Sequence, residues 1–300
     1  MIVPSPYDDL LRQIPVTPRT LTVFGSTTAF WDYGSPDAAT TIVMVHGFRG
    51  DHHGLEPVVA HLPGLRIVAP DLPGFGASEP LVGIRHDLDG YSRWLREFMS
   101  VLAPTGRVVL LGHSFGSIVV AAAVAGGLRV HDVVLVNPIA APALSGPRGV
   151  LTRLAVFYYW AAATLPEAVG FALLRNRVIV RVMSVTMTKT REPVLRRWIH
   201  NQHDRYFSAF ADRSVVLDAF RASVGHDVSE YAARIQDRTL LIAAEKDDIT
   251  PLAAQYALQG MFPQASLAVI NDVGHLIHYE MPEPAAAELL RFLSAGEETL

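Results

Sequence analysis

Val108-Val109-Leu110-Leu111-Gly112-His113-Ser114-Phe115-Gly116-Ser117-Ile118-Val119-Val120-Ala121-Ala122-Ala123 joins a short β-branched apolar run to an Ala/Val-rich segment through a Gly-x-Ser-x-Gly pentamer. The order reads as strand, tight turn, helix. A strand passes into a helix this abruptly only when the central residue takes a strained, positive-φ backbone and its flanking neighbours lack bulk. The glycines at 112 and 116 supply that room, and Ser114 then projects alone from the tip with a helix N-terminus beneath it. A serine hydroxyl is a weak nucleophile by itself, so the turn implies chemistry only if a base and an orienting acid come from elsewhere in the chain.

Outward from this turn, similar short apolar runs recur at Thr41 to Val45, Leu65 to Ala69 and Asp132 to Val136, and again at Arg238 to Ala243 and Ser266 to Ile270. Helix-length segments lie between most of them: Gly54 to His61, Arg85 to Leu102, Ser117 to Ala125, Pro251 to Gly260 and Pro284 to Leu293. Fully apolar strands alternating with helices predict a parallel sheet covered on both faces. Ahead of them, Arg19 to Phe24 and Thr27 to Tyr33 flank Gly25-Ser26 and predict a β-hairpin.

The alternation stops after Asn137-Pro138. Gly149 to about Arg221 holds no convincing strand and reads as several helices broken at Pro166 and Pro193. A helical insertion within one α/β domain explains this pattern, with residues 1–142 and 229–300 forming the core and 143–228 a cap. Ser145 to Glu230 carries 12 Lys/Arg against 7 Asp/Glu, in a chain whose net charge is −4. The insertion is thus a basic unit on an acidic core. Leu154 to Leu165 is an uncharged stretch of twelve residues, short of the roughly 20 needed to span a bilayer. It predicts a helix that lines an apolar pocket or makes transient contact with a membrane surface.

Composition narrows the function classes. A pI near 6.3 argues against a nucleic-acid partner. The absence of cysteine excludes disulfides, thiolate metal sites and a cysteine nucleophile. The N-terminus, Met1-Ile2-Val3-Pro4-Ser5-Pro6, has neither a basic n-region nor an apolar h-region, so the expected location is cytoplasmic. The pairs His52-His53 and His200/His203 invite a metal reading, but no third ligand at suitable spacing is evident, and no metal or cofactor is expected.

In open parallel sheets, ligands gather beyond the C-terminal ends of the strands. The last strand is followed by Asn271-Asp272-Val273-Gly274-His275, and the one before it by Ala244-Glu245-Lys246-Asp247-Asp248. Chain order is therefore serine, acid, histidine. Either Asp247 or Asp248 stands where the acid is needed.

Five motifs in register over about residues 19 to 295 resemble those of the α/β-hydrolase fold superfamily, in its capped serine-hydrolase branch. They are His46-Gly47-Phe48, Asp71-Leu72-Pro73-Gly74-Phe75-Gly76-Ala77-Ser78, Gly112-His113-Ser114-Phe115-Gly116, Glu245-Lys246-Asp247, and Gly274-His275 with Glu280-Met281-Pro282. The resemblance implies an α/β fold: a mostly parallel, eight-stranded twisted sheet with helices on both faces. It also implies Ser114 as nucleophile, Asp247 as acid and His275 as base, with the backbone N–H groups of Phe48 and Phe115 as oxyanion donors. In similar proteins the acid often precedes a proline. Here Asp248 itself stands where that proline would be, directly after Asp247, which keeps it a rival.

Serine at 114 sets the chain apart from the haloalkane dehalogenases and epoxide hydrolases of this fold, which use aspartate there. Ring-cleavage C–C hydrolases usually carry His-Gly-x-Gly-Pro-Gly, where this chain has His46-Gly47-Phe48-Arg49-Gly50. Prolyl aminopeptidases typically carry glycine or tryptophan within the pentamer. A small-molecule carboxylic ester or thioester with an apolar acyl part is the expected substrate. C–C cleavage, acyl transfer and a ligand sensor with vestigial turnover are the alternatives. His46 is expected to brace the oxyanion loop at the pocket edge, and the cap aromatics Tyr158 and Trp160 are expected to line the pocket.

Overall fold

The computed structural model describes residues 3–141 and 149–297. Eight strands form one sheet: β1 (Val16–Val23), β2 (Ser26–Tyr33), β3 (Thr40–Val45), β4 (Arg66–Pro70), β5 (Arg107–His113), β6 (Asp132–Val136), β7 (Arg238–Ala244) and β8 (Ala265–Ile270). Their spatial order is β1-β2-β4-β3-β5-β6-β7-β8. The β1–β2 hairpin and the β2–β4 pair are antiparallel, and every other pairing is parallel.

The apolar runs are explained by burial on both faces. In β5, Val108 and Leu110 point into one hydrophobic cluster, while Val109 and Leu111 point into a second on the opposite face. Neighbours β3 and β6 divide their side chains the same way: Val43, Val45, Val133 and Leu135 to one face, Ile42, Met44, Val134 and Val136 to the other. Strand periodicity of two, with both faces covered, yields continuous apolar runs rather than alternation. β1 reaches back to Val16 through Pro18, beyond the predicted start at Arg19. An edge strand tolerates proline because one side of its backbone is unpaired.

Among the described residues the longer helices are α1 (Leu88–Leu102), α2 (Phe115–Ala125), α3 (Gly149–Thr164), α4 (Glu167–Leu174), α5 (Arg177–Met187), α6 (Pro193–Tyr206), α7 (Arg213–Gly225), α8 (Leu252–Gln259) and α9 (Pro282–Glu297). α1 starts at Leu88 rather than Arg85 because the Asp87 carboxylate accepts from the Gly90 amide and caps it. The segment expected as one helix over Gly54 to His61 is a 3₁₀ turn at His52–Gly54 followed by a single turn at Glu56–Val59.

α3 to α7 lie between β6 and β7 in sequence, with no strand among them. Pro166 precedes α4 and Pro193 opens α6. Two further breaks carry no proline: Asn176 and Asp212 each cap the next helix with a side-chain oxygen. The expected start of the cap at residue 143 lies outside the described residues. On the return side, the Val228 amide donates to the Ile139 carbonyl, closing the excursion beside the end of β6.

Candidate active site

Ser114 sits between β5 and α2 at φ 54° and ψ −118°. A Cβ on Gly112 would lie 2.5 Å from the Gly116 carbonyl oxygen, and one on Gly116 would lie 2.2 Å from the carbonyl oxygen of Val45 on the next strand. Both positions therefore require glycine for contact reasons. The bend is held by the Ser114 amide donating to the Val136 carbonyl at 3.0 Å and by the Ser117 amide donating to the Ser114 carbonyl at 2.9 Å.

Residues far apart in sequence converge on the Ser114 hydroxyl. His275 Nε2 lies 2.8 Å from Ser114 Oγ, and His275 Nδ1 lies 2.8 Å from Asp247 Oδ2. Imidazole and acid are both buried. The other carboxylate oxygen of Asp247 accepts the amides of Ile249 at 2.7 Å and Thr250 at 3.2 Å, which fixes its orientation. Asp248 faces the other way and pairs with Lys189. Of the two candidate acids, the structure brings Asp247 to the imidazole.

Asn137 is a positioning group that sequence reading passed over. It follows β6 at φ 44° and is fully buried. Its Nδ2 donates to the His275 carbonyl at 2.9 Å, and its Oδ1 accepts the Ala244 amide at 2.8 Å. One side chain thus ties the histidine loop to the strand that carries the acid. The available signal was an asparagine directly after a strand, a residue that tolerates positive φ.

The Phe48 and Phe115 amides, one after β3 and one opening α2, donate to no group among the described residues. The first-turn amides of a helix have no intrahelical partner, so the Phe115 N–H is left available for an anion. The Phe48 side chain is the hub of an aromatic cluster. Phe48 meets Phe75, Phe115, Tyr159 and Phe220 at centroid distances of 6.2, 6.5, 5.8 and 6.0 Å.

The expected pocket residues require correction. His46 is buried, and both ring nitrogens are engaged within the protein. Nε2 accepts the Leu72 amide at 2.8 Å, and Nδ1 donates to the Gly47 carbonyl at 2.8 Å. Burial holds its pKa below the usual histidine range. His46 therefore braces two loops, with no ring nitrogen left over for a ligand. Trp160 is 58% exposed and stacks on Phe157 on the outer face of α3. Tyr158 is half-buried, with its hydroxyl on the Leu173 carbonyl. The inward residue is Tyr159, 3% exposed and stacked 3.8 Å from Phe220. Successive helix residues are separated by about 100°. With 159 facing the core, 160 must face out.

The expectation that no third ligand accompanies His52-His53 also changes: the Asp51 carboxylate joins them, with ligand atoms within 4.8 Å of one another. These groups are already partnered. Asp51 Oδ1 accepts the His53 amide, and its other close neighbour is His53 Nδ1 at 3.2 Å. His52 Nδ1 lies 2.9 Å from Asp71. The cluster builds the turn that follows Phe48 and Arg49. No helix among the described residues is long and apolar enough to cross a membrane.

Comparison with known proteins identifies the family. The model of the alpha/beta hydrolase family matches residues 42–288. A 2-hydroxy-6-oxononadienedioate/2-hydroxy-6-oxononatrienedioate hydrolase of Pseudomonas putida is 28% identical over 270 residues, covering 86% of this chain and 88% of that one. Lipase 3 of a Moraxella species is 22% identical, covering 84% and 76%. Among solved structures, an esterase from Exiguobacterium antarcticum superposes with a TM-score of 0.75 at 18% identity, covering 93% of this chain and all of that one. The chain belongs to the alpha/beta hydrolase family and is a hydrolytic enzyme of that fold.

Proposed function

We propose that this hydrolase cleaves a carboxylic ester or thioester with an apolar acyl part, through an acyl-enzyme on Ser114. The observation that carries the reading is the continuous relay Ser114 Oγ to His275 Nε2, 2.8 Å, and His275 Nδ1 to Asp247 Oδ2, 2.8 Å. Ser114 Oγ attacks the carbonyl carbon while its proton passes to Nε2. The imidazolium is held by the Asp247 carboxylate, which accepts the Nδ1 proton in a hydrogen bond. The carbonyl oxygen becomes an oxyanion between the Phe48 and Phe115 amides. Its collapse expels the alcohol or thiol, which takes the proton from Nε2. Water then repeats the sequence on the acyl-enzyme and releases the acid. The aromatic cluster of Phe48, Phe115, Tyr159 and Phe220 supports an apolar acyl group as the occupant.

A second reading has one specific support, the 28% identity to a hydrolase of 2-hydroxy-6-oxo dienedioates. There the same serine would release a carbon leaving group. A fluorophosphonate label, followed by a panel of p-nitrophenyl esters of increasing acyl length and a ring-fission dienedioate, tests both. Labelling at Ser114 with ester turnover is expected, and Ser114→Ala should lower kcat by at least about 10⁴-fold. An unlabelled Ser114 in folded protein would remove the ester reading. Turnover confined to the dienedioate would transfer it to C–C cleavage.

A further inference from the structure

Arg49 is the residue directly after the Phe48 oxyanion amide, and its place in the fold is unusual for a cation. It is 1% exposed, and its backbone sits at φ 59°. Among the described residues no carboxylate pairs with it. A buried charge normally needs such a partner. Instead the guanidinium reaches up into the cap and takes three acceptors there. Nε donates to the Phe207 carbonyl at 3.0 Å, Nη1 to the Tyr159 hydroxyl at 3.1 Å and Nη2 to the Leu174 carbonyl at 2.6 Å. Leu174 ends α4 and Phe207 is the cap residue of α6. The last carbonyls of a helix lack intrahelical partners and carry partial negative charge. Two helix ends thus replace the missing carboxylate. The guanidinium also lies 4.5 Å from the Phe207 ring centroid and 5.2 Å from that of Phe210. The aromatic faces add to the stabilisation of the cation.

We propose that Arg49 is a positioning residue for the oxyanion loop. It pins α3, α4 and the end of α6 to the backbone turn that bears the Phe48 amide, so that docking of the cap sets where that amide aims. This rests on the ester-hydrolase reading above, in which the Phe48 N–H binds the oxyanion. Two features give the pin its directionality. Positive φ at residue 49 orients the turn around Gly47-Phe48, where the Gly50 amide closes on the Gly47 carbonyl at 3.0 Å. Tyr159, one of the three acceptors, also packs against the Phe48 ring. The cap therefore reaches the same turn by a charged route and an aromatic one. Other ties hold the cap elsewhere: the Gly76 amide on the Ala209 carbonyl, and the Lys189 amide on Glu280. Loss of Arg49 should therefore loosen the oxyanion turn without releasing the cap.

Arg213 provides the control. It also donates to carbonyls at a helix end, those of Ala162 and Leu165, but entirely within the cap. The test compares Arg49→Met and Arg213→Met for ester kcat and KM, for melting temperature, and for amide hydrogen exchange in peptides covering residues 46–54. Kinetics are normalised to the fraction of fluorophosphonate-reactive serine. Arg49→Met is expected to lower kcat by about 10- to 100-fold with KM within about threefold, because only the transition state uses the oxyanion donor. Exchange in 46–54 should rise. Arg213→Met should lower the melting temperature with kcat within about twofold and exchange in 46–54 unchanged. If Arg49→Met does not fold, Arg49→Lys, which keeps the charge but cannot reach three acceptors, gives the same comparison. The proposal is overturned if kcat of the Arg49 variant falls no further than that of Arg213→Met, or if exchange in 46–54 does not change. Wild-type protein without ester turnover would sink the functional reading instead, and the exchange experiment would still decide the pin.

Discussion

Asp247 and Asp248 are adjacent, chemically identical and equally well placed in the chain, yet their surroundings assign them opposite duties. Asp247 is buried, held by two backbone amides and directed at His275, while Asp248 is consumed by Lys189. Asp247→Asn removes the acceptor that fixes the imidazole tautomer, and kcat should fall by about 10⁴-fold. Asp248→Asn should change kcat by less than about fivefold. Steady-state kinetics on one ester measure both, and equal losses would contradict the assignment. In sequence, these two were separable only by family resemblance. Nothing in the sequence separated Tyr158, Tyr159 and Trp160, a run of aromatics whose inward member is settled by helix phase against α7 and Phe48.

At the scale of elements, the site is assembled where β5, β6, β7 and β8 end side by side, and Asn137 couples three of these ends. Its removal strands the Ala244 amide in the interior and takes one of two donors from the His275 carbonyl, which the His113 ring also meets. Asn137→Ala is therefore expected to cost about 1–3 kcal/mol of stability, the usual penalty for one buried unsatisfied group. It should also lower kcat about tenfold by loosening the relay. Urea unfolding and kinetics on the same sample check the two losses together. A stability loss without a kinetic one would show that the histidine loop is held by other contacts. Strand positions were legible because β-branched runs with both faces buried leave a continuous apolar signature. Breaks at Pro166 and Pro193 were legible for a similar reason, since proline removes a donor. Those at Asn176 and Asp212 depend on a capping hydrogen bond, which composition does not announce.

For the molecule as a whole, several buried histidines make stability depend on pH. Burial pushes His113 and His203 down to about 3, with neighbouring His275 and His200 contributing. The folded state therefore refuses a proton that the unfolded chain accepts below about pH 6.5. Stability from these groups is fully present above that pH and is lost as pH falls toward 3, by about 1.4 kcal/mol per pH unit for each histidine. Urea denaturation at pH 7.5, 6.0 and 5.0 should show the decline, and His203→Gln should flatten it. An unchanged slope in the variant would remove His203 as a contributor. His203 Nδ1 also lies 2.7 Å from Ser184 Oγ, with His200 Nδ1 2.6 Å from the same oxygen, so this pH dependence resides partly in the packing of α5 on α6.

From the residues alone came the eight strands, the helical insertion, the serine turn and the histidine after the last strand. Each is written locally, in side-chain periodicity, glycine placement or a short motif. Tertiary structure alone decided which carboxylate meets the imidazole, that Tyr159 rather than Trp160 faces inward, that Asn137 joins two loops, and that Arg49 is buried against α3, α4 and the end of α6. Those outcomes depend on distances between segments as many as 158 residues apart, as from Arg49 to Phe207. Local propensity carries no information about such distances, because they are set by how two faces of a sheet and a five-helix insertion pack against one another.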